Sequence, residues 1–125
     1  MHFVISREAL LKPLQMVSGV VERRQTLPVL SNVLMVLDGS ELSLTGTDLE
    51  VELIGRVPVD QAHEAGAVTV PARKLLDICK SLADDANVEF SLSDNKLTLQ
   101  SGSSRYTLTT LPASEFPSVD EETDT

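Results

Sequence analysis

Apolar positions along this chain follow two periods, and the changes between them mark its elements. Across Ser6–Arg24 (SREALLKPLQMVSGVVERR), Leu10, Leu14, Val17 and Val21 recur at helical spacing with Leu11 beside them, so one side of a helix is apolar. Ser6 is suited to cap that helix, and Gly19 to end or weaken it. Pro13 falls inside, where it removes a backbone donor and crowds the preceding turn, so a bend is expected there. A second apolar stripe, Leu75, Leu76, Cys79 and Leu82, predicts another helix within residues 67–82, with Pro71 near its first turn.

Elsewhere the pattern alternates or is rich in β-branched residues and leucine. Strands are predicted over residues 2–5, 29–38, 41–46, 50–59, 87–93, 96–101 and 104–111, with one at the start of 67–82. Asp38-Gly39-Ser40, Gly46-Thr47-Asp48, Asp94-Asn95 and Gly102-Ser103 supply turns, and residues 60–66 read as a polar loop. Thr26-Leu27-Pro28 reads as a connector. The Pro-punctuated end, with its acidic run, reads as a tail.

The pattern is stated twice. A strand, a helix and three strands occur in each half, with Leu10-Leu11 and Leu75-Leu76 equivalent at an offset of 65 residues. The implied fold is α+β: two β-α-β-β-β units whose two helices pack side by side on antiparallel sheet.

Charge adds a second asymmetry to this frame. The chain of 125 residues carries a formal charge of −9. Residues 7–24 and 72–82 hold seven basic residues (Arg7, Lys12, Arg23, Arg24, Arg73, Lys74, Lys80) against three acidic ones, a balance of +4. The remainder holds three basic and sixteen acidic residues, a balance of −13. Positive helices on an acidic body suit a polyanion met on one face, through contacts that salt weakens. Long basic side chains that merely solvate exposed helix faces fit the same count, and charge alone does not separate the two. Only four aromatic residues occur, which argues against single-strand binding by base stacking.

Chemistry for catalysis is not evident. His2 and His63 are far apart in sequence, and Cys79 lies on an apolar stripe, where a buried, inert thiol is expected. Asp48 is assigned to a turn, and Glu50 and Glu52 to a solvated strand face. No phosphate-cradling glycine loop, calcium loop, metal cluster or cofactor motif is found. A single cysteine excludes an internal disulfide, no apolar run approaches membrane-spanning length, and the N-terminus lacks a secretory layout. A non-enzymatic, cytoplasmic protein is expected.

Five ordered stretches then carry a resemblance: LLKPLQ (10–15), RRQTLPVLSNVL (23–34), LSLTGTDLEVEL (42–53), TVPARKLLDICKSL (69–82) and SRYTLTTLPASEFP (104–117). They closely resemble the bacterial β sliding clamp, the processivity subunit of DNA polymerase III, over the first of that family's three domains. The resemblance implies a head-to-tail ring of two subunits, helices lining a hole around duplex DNA, and sheets outside. It implies a first clamp domain over residues 1–117, with residues 118–125 as an acidic linker toward a second domain. By the same resemblance Arg24 and Arg73 contact DNA phosphates, and Lys12, Arg7 and Lys80 are further candidates for the pore field. Lys74, Arg105, Tyr106 and Leu108 correspond to the subunit interface, and Ser103 stands where relatives often carry another arginine. The family's peptide pocket for polymerase and clamp loader lies between its second and third domains, so those partners are not expected to bind residues 1–125 at the usual site. The other reading of the residues is a stand-alone interaction module that recruits a partner along an edge strand.

Overall fold

The structure, a computed structural model, describes residues 1–21, 31–48 and 51–117. β1 (His2–Ser6) runs into α1 (Arg7–Ser18), followed by β2 (Asn32–Asp38), β3 (Glu41–Thr47), β4 (Glu52–Pro58) and β5 (Gln61–Glu64). β6 (Gly66–Pro71) runs into α2 (Ala72–Ser81), followed by β7 (Asn87–Ser93), β8 (Lys96–Ser101), β9 (Ser104–Thr109) and β10 (Leu111–Pro112). The expected units are both present, and each is longer by one short strand. β5 falls in the predicted polar loop. All its residues are exposed, so no apolar alternation announced it; backbone pairing with β1 holds it. The helix-strand repeat stays at 65 residues, but the later strands repeat nearer 55, because the chain between α2 and β7 is shorter than that between α1 and β2.

The strands form two antiparallel sheets, in the orders β5-β1-β7-β8-β9 and β10-β6-β2-β3-β4. The halves exchange their first strands: β1 joins the sheet of the second half through β7, and β6 joins that of the first through β2. Neither half can therefore complete a sheet alone. Phe3 and Phe90 face each other in the β1–β7 register, both fully buried, with rings stacked at 4.7 Å. Each such buried aromatic or aliphatic side chain contributes roughly 1.5–3 kcal/mol. Between β2, β6 and β10 a buried polar relay is satisfied: Asn32 Nδ2 donates to Thr69 Oγ1 (2.9 Å), which donates to the Leu111 carbonyl (3.1 Å).

The helix predictions hold in their main features. Ser6 Oγ accepts from the Ala9 N–H at 3.2 Å, and α1 ends with Gly19 as its C-cap. Leu10, Leu14 and Val17 are fully buried, as are Leu75 and Cys79 in α2. Leu14 and Cys79 are equivalent at the 65-residue offset, so the thiol fills an aliphatic position of the repeat. α1 is unbroken across Pro13. The position is accommodated from the sheet side: a Cβ on Gly55 would come within 2.8 Å of Pro13 Cβ. A Cβ on Gly46 would come within 2.5 Å of the Val17 carbonyl oxygen. These two glycines let α1 lie close against β3 and β4. Gly46 and Thr47 continue β3 instead of starting a turn, and just past the strand Asp48 Oδ1 accepts from the Val51 N–H at 2.8 Å. Positive φ at Gly39, Asp94 and Gly102 marks the other three turns at their predicted places.

Candidate nucleic-acid interface

The start of α1 lies beside the end of α2, and the end of α1 beside the start of α2, so the helices run antiparallel. Buried residues every three to four positions turn one side of each helix inward, which decides where its charges go. On α2, Arg73 and Lys80 are two turns apart and share one flank; both are exposed. With Ser18, Val21, Ser31, Ala72 and Leu76 they line a groove of about 250 Å³ between the helices. The buried Ser18 Oγ in that groove has no hydrogen-bond partner among the described residues. Lys74, next to Arg73 in sequence, turns toward the other flank, where α2 approaches β9. On α1, Lys12 is exposed and shares the outward side with Glu8 and Gln15.

Arg7 is placed differently. Its side chain is 15% exposed, its Nε donates to the Cys79 carbonyl at 2.9 Å, and a terminal guanidinium nitrogen lies 3.3 Å from Asp84. It ties the start of α1 to the end of α2, and its charge is not presented as Lys12, Arg73 and Lys80 present theirs. Sequence periodicity could not show this, since the carbonyl it binds is 72 residues away. Arg23 and Arg24 lie outside the described residues. The outward helix faces thus carry Lys12, Arg73 and Lys80 with Glu8 and Asp77 among them, a smaller excess than the whole-segment count.

Of the expected interface residues, Arg105 is exposed and Tyr106 half-buried on β9, which ends its sheet. Leu108 is 5% exposed and pairs with Leu97 in register. Its side chain therefore belongs to the core, and its backbone groups turn toward β8. The Thr110 N–H donates to the Asn95 carbonyl (2.9 Å), and even-numbered residues of this strand follow that pattern, so the open edge is presented by Arg105, Thr107 and Thr109. Burial pushes the Cys79 thiol up to about 11, with nearby Arg7 pulling weakly the other way, which keeps it protonated and unreactive near neutrality. His2 and His63, distant in sequence, come together with ring centroids 4.7 Å apart, and His2 Nε2 lies 2.5 Å from Glu89 Oε2. Among the described residues no group of three or more His, Cys, Asp or Glu side chains could hold a metal ion.

This geometry, an antiparallel helix pair beside two exchanged sheets, has close counterparts. A family model described as DNA polymerase III beta subunit, N-terminal domain, matches residues 1–120. The chain belongs to that family. It is 65% identical over 121 residues to the beta sliding clamp of Pseudomonas putida, and 50% identical to that of Escherichia coli K12, covering 97% of this chain in each case. Among solved structures, a sliding clamp (DNA polymerase III subunit beta) from Pseudomonas aeruginosa superposes with a TM-score of 0.94 at 65% identity over 98% of this chain. A Caulobacter crescentus pol III beta structure gives 0.93 at 43% identity over 98% of this chain. The chain spans about a third of the length of these relatives, 33% in each. The α+β clamp fold is shared by all of them. No helix among the described residues is long and apolar enough to cross a membrane.

Proposed function

We propose that this chain forms the first domain of a sliding clamp, a ring that surrounds duplex DNA and keeps the replicative polymerase on its template in the cytoplasm. The observation that carries the reading is the exposed Lys12, Arg73 and Lys80 on one antiparallel helix pair, in a chain whose net charge is −9. Such a face meets phosphates without reading bases, and few contacts on an acidic body keep each encounter weak. Weak, sequence-independent contact is what sliding requires; retention comes from ring closure. Arg73 in the first turn of α2 adds to the positive end of the helix dipole. Arg24 belongs to this proposal through the family resemblance, and Arg7 enters it as the tie between the helices.

Residues 1–117 form the domain in this reading and 118–125 lead toward a second one. Lys74, Arg105 and Tyr106, over the buried Leu108, face a neighbouring subunit along β9. Polymerase and clamp loader engage the ring through other domains, and the role is tethering, with no catalytic step. The test is duplex binding by the protein across a salt series. Arg73→Ala and Lys80→Ala should each lower the slope of log affinity against log salt by about 0.9. Arg24→Ala should do the same. Unchanged slopes for all three would remove the assignment.

A further inference from the structure

Ser18 ends α1 with a hydroxyl that the fold itself does not use. Its Oγ is closed to solvent and has no hydrogen-bond partner among the described residues. A buried polar atom without a partner is a cost to stability, so a use outside the fold is the natural account of it. Ser18 stands in the wall of the groove between the helices, with Ser31, Ala72, Arg73 and Lys80. Arg73 and Lys80 are exposed, so the groove reaches the surface between two cations. Neither forms an ion pair among the described residues. No described carboxylate lines the groove, and Asp77 turns to the outward side of α2.

The backbone favours an anion in the same place. α2 starts at Pro71 with no side-chain cap and no acid in its first turn. The positive end of its dipole is therefore unanswered where Ala72 and Arg73 line the groove. The end of α1 lies here too and would oppose an anion, but its carbonyls are occupied. The N–H groups of Gly19, Val20 and Val21 donate to the carbonyls of Met16, Val17 and Ser18 at 3.2, 3.3 and 3.1 Å.

We propose that this groove seats one phosphate of the duplex backbone, with Ser18 Oγ donating to a phosphate oxygen between Arg73 and Lys80. A turn about the Ser18 Cα–Cβ bond, from one staggered rotamer to another, brings the hydroxyl to the ligand. Phosphate suits the seat because its several oxygens can serve a hydroxyl and two cations at once. The proposal deepens the sliding-clamp reading and rests on it. The cations draw the duplex in; Ser18 adds a contact that carries no charge and reads no base, and one such bond still lets each phosphate give way to the next.

Titration of a short duplex into the 125-residue chain, repeated over a salt series, tests the seat. Ser18→Ala should weaken binding roughly tenfold at each salt concentration and leave the slope of log affinity against log salt unchanged, since no charge is removed. Its urea midpoint should equal or exceed that of the native chain, because the lost hydroxyl had no partner within the fold. Arg73→Ala, which does change the slope, reports on the underlying reading in the same assay. If Arg73→Ala acts but Ser18→Ala binds like the native chain, alters the slope or lowers the midpoint, the seat is wrong and the clamp reading stands. A native chain without salt-sensitive duplex binding would overturn both.

Discussion

Cys79 shows how far one residue could be read before its surroundings were known. The apolar stripe placed it inward, and full burial at the position equivalent to Leu14 confirms the reason. With its thiol pushed up to about 11 from an ordinary 9.0, roughly a hundredfold less thiolate is present at pH 8 than for a free cysteine. Alkylation in the folded chain should be slowed by at least that factor relative to the urea-unfolded chain, measured by mass spectrometry. The same shift sets a stability window. Between pH 9.0 and about 11 the unfolded chain has released this proton and the folded chain has not, so stability falls as pH rises through that interval. The loss is on the order of 2 kcal/mol, and Cys79→Val should remove that part of the pH dependence in urea titrations. Arg7 is the opposite case. Its type and exposed-looking position suggested a free cation, and only a carbonyl 72 residues away revealed a structural tie. Arg7→Ala should cost about 1–2 kcal/mol through the lost bond to a partly buried carbonyl. Asp84→Ala, at an acid 98% exposed, should cost less than about 0.5 kcal/mol.

Among the elements, those fixed by local chemistry were legible and those fixed by distant pairing were not. β7 and β8 fall at their predicted bounds because alternation and adjacent turn residues both mark them. α1 begins where Ser6 caps it and stops at Gly19. β5 carried no pattern, since backbone pairing alone makes it a strand. Of the two glycines beneath α1, Gly46 was read as a turn residue and Gly55 carried no signal, and both are explained only by the helix above them. Gly46→Ala sets a Cβ 2.5 Å from a backbone oxygen that cannot swing aside, so destabilisation of about 2–3 kcal/mol is expected in chemical denaturation. Gly55→Ala meets the Pro13 ring at 2.8 Å and should cost somewhat less. The result that would contradict this packing is a native-like midpoint for both.

For the whole molecule, the internal repeat was visible as two strand-helix phrases, but the exchange of first strands between halves was not. That exchange pairs β1 with β7, more than eighty residues away, with Phe3 against Phe90 and Ile5 against Val88 on the buried face, a pairing that periodicity cannot assign. It makes the domain one cooperative unit, and it sets α1 and α2 antiparallel so that Lys12, Arg73 and Lys80 look outward together. Half of that site was legible, as positive helices in an acidic chain. The withdrawal of Arg7 and the division of Arg73 from Lys74 onto different flanks required the fold. The measurement that tests the central claim most directly is a titration of the isotopically labelled chain with a short duplex at low salt, followed by amide shifts. Perturbations should concentrate on α1 and α2 around Lys12, Arg73 and Lys80, be independent of duplex sequence, and vanish as salt rises. Shifts centred on the sheet strands, or no salt-sensitive shifts on the helices, would contradict the account.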